Sequence, residues 1–150
     1  MRLLNFIGFV FAAAALLACG AANSPDGGVQ AESAWIRASV PGSKVSAGYL
    51  TLRNTSSEDD AVVAVEIPGV GKAEVHSMSH SEGMMRMRPL ESLPLPAGQT
   101  VQLQPGGTHL MLMGVEEAFE LGSQRSGRIR LRSGQTLELR FDIRNQAPNS

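Results

Sequence analysis

The sequence contains little cysteine, tryptophan and tyrosine, and neither positive nor negative residues are in clear excess. It holds one Cys, one Trp and one Tyr in 150 residues, and 13 Lys and Arg balance 14 Asp and Glu. A single cysteine excludes an intrachain disulfide. A balanced charge provides no basic surface for nucleic acid, so we expect no nucleic-acid partner. No catalytic Ser/His/Asp or Cys/His arrangement is evident, so we do not expect the protein to be an enzyme.

The N-terminal segment has the pattern of a secretory signal. Arg2 precedes a short apolar run that ends in small residues, and the run is too short for a membrane span of about 20 residues. We therefore predict a signal peptide over residues 1–18. The run ends in Leu-Leu-Ala-Cys-Gly, which resembles the lipobox of bacterial lipoproteins and implies that Cys19 is lipidated and anchors the protein to a membrane in the bacterial periplasm. The alternative is an ordinary signal cut near Ala21, which would release a soluble periplasmic protein.

The remainder of the sequence predicts one β-rich domain. Residues 19–32 are rich in Gly, Ala and Ser and predict a flexible tether. Residues 33–144 contain many short runs of alternating apolar and polar residues separated by Pro or Gly turns, which is typical of a β-sandwich. Trp35 and Tyr49 are predicted as aromatic residues of its core. Residues 145–150 form a polar tail.

Histidine and methionine are concentrated in one part of this domain. All three histidines, and all methionines except the initiator, lie within residues 76–113. Methionine that merely fills a core would occur in other strands too. The residues concerned are His76, Met78, His80, Met84, Met85, Met87, His109, Met111 and Met113.

Strand periodicity predicts which of these side chains share a face. Residues two apart on a strand point the same way, so His109 and Met111 share a face while Leu110 points into the core. A hairpin with a loop at residues 80–83 would place His76 opposite Met87 and Met78 opposite Met85, within reach of a common ion. Met84 is predicted to face the core, and His80 to be a solvated loop residue.

The donor types favour monovalent copper. Thioethers are soft and suit Cu(I) better than Zn(II), Mg(II) or Ca(II), and imidazole is an acceptable companion. A blue-copper electron-transfer centre needs a cysteine ligand, which residues 20–150 lack. The sequence therefore predicts Cu(I) as the bound ion, held without redox work.

The spacing of four of these residues resembles a family motif. His76, ten residues, Met87, twenty-one residues, His109, one residue and Met111 resemble the H-x10-M-x21-H-x-M motif of periplasmic copper chaperones of the PCuAC type. The segments AWIRASVPGSKVSAGYLTLRN, VHSMSHSEGMMRMRPL and PGGTHLMLMG are similar to that family as well. The resemblance implies that these four residues are the copper ligands. We expect three further methionines either to contact the metal as auxiliary ligands or to pack around the site: Met78, Met85 and Met113.

The same resemblance implies a fold, a function and partners. The fold is an all-β, cupredoxin-like Greek-key β-sandwich with a Cu(I) site at its surface. The function is delivery of copper to the CuA domain of cytochrome c oxidase subunit II, alongside a Sco-type thioredoxin-like protein. Two alternatives stay open: a copper-sequestering or resistance protein with the same site, and a metal-free β-sandwich lipoprotein that acts as an adaptor.

Overall fold

Ten β-strands make up the part of the chain that the structure, a computed structural model, describes, which is residues 27–146. The predicted signal peptide, Cys19, most of the tether and the last four residues lie outside this range. No helix long and apolar enough to cross a membrane occurs within it. The strands are β1 (Val29–Arg37), β2 (Val45–Asn54), β3 (Asp60–Glu66), β4 (Val70–Ser81), β5 (Met84–Pro89), β6 (Leu93–Leu95), β7 (Thr100–Leu103), β8 (His109–Val115), β9 (Gln124–Leu131) and β10 (Thr136–Arg144).

The strands form a sheet that folds over on itself. Their order is β5-β4-β8-β2-β1-β10-β9-β3-β6, with β7 paired to β2. The half that runs from β5 to β1 packs against the half that runs from β10 to β6, and their buried side chains form one core. The chain crosses between the halves repeatedly, for example from β2 to β3 and from β8 to β9. This is the predicted all-β, cupredoxin-like sandwich.

Alternation of apolar and polar residues determines which side chains enter the core. On β8, Leu110 and Leu112 are at most 1% exposed and belong to the core. Ile129 and Leu131 on β9 alternate in the same way with exposed arginines. Period-2 patterning in the sequence therefore located the core strands correctly.

The first strand begins earlier than the sequence indicated. Residues 29–32 were predicted as tether, but they pair with β2, and Val29 is buried. A bulge between Glu32 and Trp35, where Ser33 has a φ of 52°, interrupts the pairing. The tether prediction was wrong there because the tertiary partner β2 supplies hydrogen bonds to a segment whose own composition does not demand a strand.

The side chains of Trp35 and Tyr49 are buried, but they are not part of the main apolar cluster. Trp35 and Tyr49 lie opposite each other on β1 and β2, with ring centroids 4.4 Å apart. Both alternate with core residues, since Ile36 and Leu50 are the neighbours that enter the core. The aromatic pair is buried as predicted, but it lies on the face of the sheet opposite the main apolar cluster.

One buried amide holds together the loop after β2. Asn54 is 1% exposed, donates from Nδ2 to the carbonyls of Glu58 and Leu95, and accepts at Oδ1 from the backbone and hydroxyl of Ser56. Removing this side chain would take away the buried hydrogen bond that the carbonyl of Leu95 accepts.

We expect Asn54→Ala to lower the free energy of unfolding by about 1–3 kcal/mol, because a buried polar group left unsatisfied costs about that much. Urea unfolding followed by circular dichroism would measure it. Asn145→Ala, at an exposed position, is the matched control and should unfold at the wild-type midpoint. An unchanged midpoint for Asn54→Ala would contradict the assigned role.

Candidate metal centre

The face of β4, β5 and β8 that points away from the core carries the three histidines and the described methionines other than Met84. His76 lies directly opposite His109 on the neighbouring strand, and their ring centroids are 6.1 Å apart. Met111 follows on the same face of β8, opposite Glu74. This arrangement confirms the strand parity predicted for His109 and Met111.

A shallow groove on this face brings three of the four predicted ligands together. Met87, His109 and Met111 line it, and Met78 lines it as well. His109 is 5% exposed, whereas Met87 is 46% exposed, so the groove runs from a buried imidazole to an accessible thioether. Its other walls include the aromatic ring of Tyr49 and the loop residues Pro105 and Gly106.

The hairpin that carries Met87 has a different register from the predicted one. The turn consists of Glu82 and Gly83 alone, with φ of 52° and 75°, and the strands pair Met78 with Met87 and His76 with Pro89. Both central residues of a type I′ turn need positive φ, which favours Asn or Asp before Gly. Glu82 in that place does not announce the turn, so the sequence indicated a longer loop.

The register shift of two residues does not change which side chains share a face of the hairpin. Met78 rather than His76 lies opposite Met87, and His80 rather than Met78 lies opposite Met85. Met78, predicted as an auxiliary contact, therefore lies in the groove beside Met87. Met85 and Met113, the other two auxiliary candidates, do not line the groove. Met84 is 52% exposed, so its predicted core position was wrong.

The hydrogen bonds of His109 define which of its nitrogens is available. Nδ1 lies 2.9 Å from the carbonyl oxygen of Gly107. A carbonyl oxygen can only accept, so Nδ1 carries the proton and donates it. Nε2 is then the unprotonated nitrogen of a neutral imidazole, which is the form that binds metal.

His76 is oriented in the opposite sense by a carboxylate. Its Nε2 lies 3.0 Å from Oε2 of Glu74, and its Nδ1 is buried with no hydrogen-bond partner among the described residues. A buried ring nitrogen without a partner is costly and requires an explanation. If Nε2 donates its proton to Glu74, Nδ1 presents an unshared lone pair, which fits a metal ligand.

Charges around Glu74 keep that carboxylate ionised. Lys72 donates from Nζ to Oε1 at 2.6 Å, and this bond, followed by the one to His76, lowers the pKa of Glu74 below its usual value. A carboxylate that accepts the distal N–H of a ligating histidine fixes the tautomer and raises the basicity of the other nitrogen. Glu74 was not predicted as part of the site, although its position two residues before His76 places it on the same face.

The thioether sulfurs of Met87 and Met111 lie on the same face as the imidazoles of His76 and His109. Groups of three or more His, Cys, Asp or Glu side chains placed to hold an ion are absent from residues 27–146. The groove instead combines neutral nitrogen and neutral sulfur donors, a set that prefers a soft monovalent ion.

Sequence comparison establishes the family of the chain. Residues 29–143 match the model of a family described as "Putative lipoprotein LpqE-like". The chain belongs to this LpqE-like family. A "Putative lipoprotein" from Leifsonia xyli subsp. xyli is 31% identical over 119 residues, which cover 79% of this chain and 70% of the relative.

Solved structures confirm the fold. The apo PCuAC domain from PmoF1 superposes with a TM-score of 0.67 at 24% identity, over 82% of this chain and 97% of that domain. The Cu(I)-bound DR1885 protein from Deinococcus radiodurans superposes with a TM-score of 0.63 at 28% identity, over 85% of this chain and 83% of that protein. The copper-bound PCuAC domain from PmoF2 has a TM-score of 0.67 at 18% identity.

Proposed function

We propose that the protein is an envelope copper chaperone that binds one Cu(I) through His76, Met87, His109 and Met111. The observation that carries the proposal is the buried, unpartnered Nδ1 of His76 next to His109, on the face where the thioethers of Met87 and Met111 line one groove. The similarity to Cu(I)-bound DR1885, at 28% identity, supports the same ion. Met78 is a further thioether within the groove.

The arrangement suits binding followed by release. Copper is the cargo, and four neutral donors would leave its single positive charge largely uncompensated, except by the nearby carboxylate of Glu74. Thioether ligands are exchanged easily for thiolates, because thiolates are stronger soft donors for Cu(I). Met87 is 46% exposed, so an incoming cysteine can approach the ion from that side without unfolding the domain.

We further propose that the acceptor is the cysteine-containing CuA domain of cytochrome c oxidase subunit II, with a Sco-type protein as co-worker. The family resemblance stated above supports this choice, as does the exposed thioether side of the groove. Membership of a family described as lipoproteins supports a lipid anchor at Cys19 and a periplasmic location. An anaerobic transfer assay with an apo CuA domain separates delivery from sequestration, since a sequestering protein would retain its copper.

Cu(I) is expected to raise the melting temperature of the protein under anaerobic, reducing conditions. A ligand bound only by the folded state stabilises it, by about 2.7 kcal/mol when free ligand is about 100 times Kd. Differential scanning fluorimetry at controlled free Cu(I) would measure the shift, with Mg²⁺ at the same concentration as the control. A metal-free adaptor would show no shift with Cu(I).

A further inference from the structure

The hairpin of β4 and β5 exposes methionine to an unusual extent. Met84, Met85 and Met87 are 52%, 64% and 46% exposed, and all side chains of β5 are solvent-accessible. Apolar side chains that stay in water do not contribute the free energy of burial. Packing therefore does not explain why this short strand carries three methionines.

The pairing of the hairpin aligns the soft donors in successive rungs. His80 at the tip lies opposite Met85, Met78 lies opposite Met87, and His76 then lies beside His109. Alternation along β4 places its three donors on one face, the face of the groove. Successive rungs are about 7 Å apart along the strands.

We propose that His80 and Met85 form a second Cu(I) site, which loads the main site through the Met78–Met87 rung. The inference rests on the proposed function, because it needs a main site that holds Cu(I). Directly opposed side chains on paired strands have Cβ atoms about 5 Å apart, which allows one imidazole nitrogen and one thioether sulfur to share an ion. Both side chains are exposed, so the tip can accept copper from solution or from a donor protein.

Transfer along the rungs is a series of ligand exchanges. The ion leaves the nitrogen of His80 and the sulfur of Met85 as the sulfurs of Met78 and Met87 bind it, and it then binds the imidazoles of the main site. Copper stays monovalent throughout, so no electron and no oxidant is required. The direction follows from donor number, since the tip offers two donors and the main site four.

The experiment compares the full-length chain in detergent with two variants, all loaded anaerobically with a Cu(I)–chelator complex. The double variant His80→Gln, Met85→Leu removes both tip donors and retains side chains of similar size. Met84→Leu is the matched control, because it removes another exposed thioether from the same hairpin, on the opposite face. Stopped-flow absorbance of the chelator gives the loading rate, and methyl NMR of the methionines shows which sulfurs bind.

The wild-type chain and Met84→Leu should take up a second, weaker equivalent of Cu(I) that shifts the Met85 methyl signal. The double variant should lose that equivalent and load several-fold more slowly. Loading of the double variant at the wild-type rate, or equal slowing by Met84→Leu, would overturn the inference while leaving the main site intact. A wild-type chain that binds no Cu(I) would instead contradict the proposed function itself.

Discussion

His109→Asn is expected to lower the affinity for Cu(I) by at least about 100-fold, since even the outer-shell partners of metal ligands are worth about 10–100-fold. Asparagine can place its amide N–H where Nδ1 donates to the carbonyl of Gly107, but it has no counterpart of Nε2. The variant therefore removes the buried ligand while keeping the local hydrogen bond. Competition with a chromogenic Cu(I) chelator, in anaerobic buffer, would measure the affinity.

A matched pair of methionines controls for nonspecific loss of sulfur. Met111 and Met113 lie two residues apart on the same face of β8 and both are half-buried, but only Met111 lines the groove. Met111→Leu should weaken Cu(I) binding strongly, and Met113→Leu should bind as the wild type does. Equal affinities for wild type and His109→Asn, or equal losses from the two leucine variants, would refute the assigned ligand set.

Glu74→Gln is expected to weaken Cu(I) binding by about 10–100-fold, the usual effect of losing the outer-shell partner of a metal-bound histidine. The glutamine amide can donate as well as accept, so it no longer requires the proton on Nε2 of His76. The tautomer that leaves Nδ1 of His76 unprotonated then loses its advantage. The affinity would again be measured by chelator competition, and the tautomer by ¹⁵N chemical shifts of the His76 ring.

Lys72→Gln is the control for the carboxylate. It removes the ion pair with Glu74 but leaves the carboxylate beside His76, and exposed ion pairs contribute only about 0–1 kcal/mol. Its affinity should stay close to that of the wild type. Because the pKa of Glu74 is lowered, the carboxylate stays ionised at neutral pH, and its support is lost only as acid protonates it. Wild-type affinity in Glu74→Gln would show that His76 binds copper without this orientation.

Alternation of apolar and polar side chains predicted which face of a strand enters the core. The sequence did not predict a strand whose formation depends on pairing with a distant segment. Leu110 and Leu112 predicted the core face of β8 correctly. The alternation therefore also placed His109 and Met111 on the opposite face. The start of β1 at Val29 could not be predicted, because the hydrogen bonds that make residues 29–32 a strand come from residues 51–54 of β2, which lie far along the sequence.

The turn and the carboxylate illustrate two different limits of sequence reasoning. Glu82 adopts a positive φ that its residue type does not favour. The predicted register of the hairpin was therefore wrong by two residues, although the prediction of which side chains share a face was correct. Glu74 was missed for another reason. Its distance of 3.0 Å to Nε2 of His76 depends on side-chain rotamers, which strand periodicity does not determine.

The place of β1 in the sheet has a mechanical consequence. β1 is paired on both sides, with β2 along one edge and with β10, in parallel, along the other. A lipid at Cys19 would transmit any pull from the membrane into the N-terminal end of β1. Force along β1 would first load the hydrogen bonds that residues 29–32 make with β2 alone, and then those that Trp35 and Ile36 make with β2 and β10 together, in shear. If Cys19 carries an anchor, tension would have to break the pairing of residues 29–32 before it reached the part of β1 that is held on both edges.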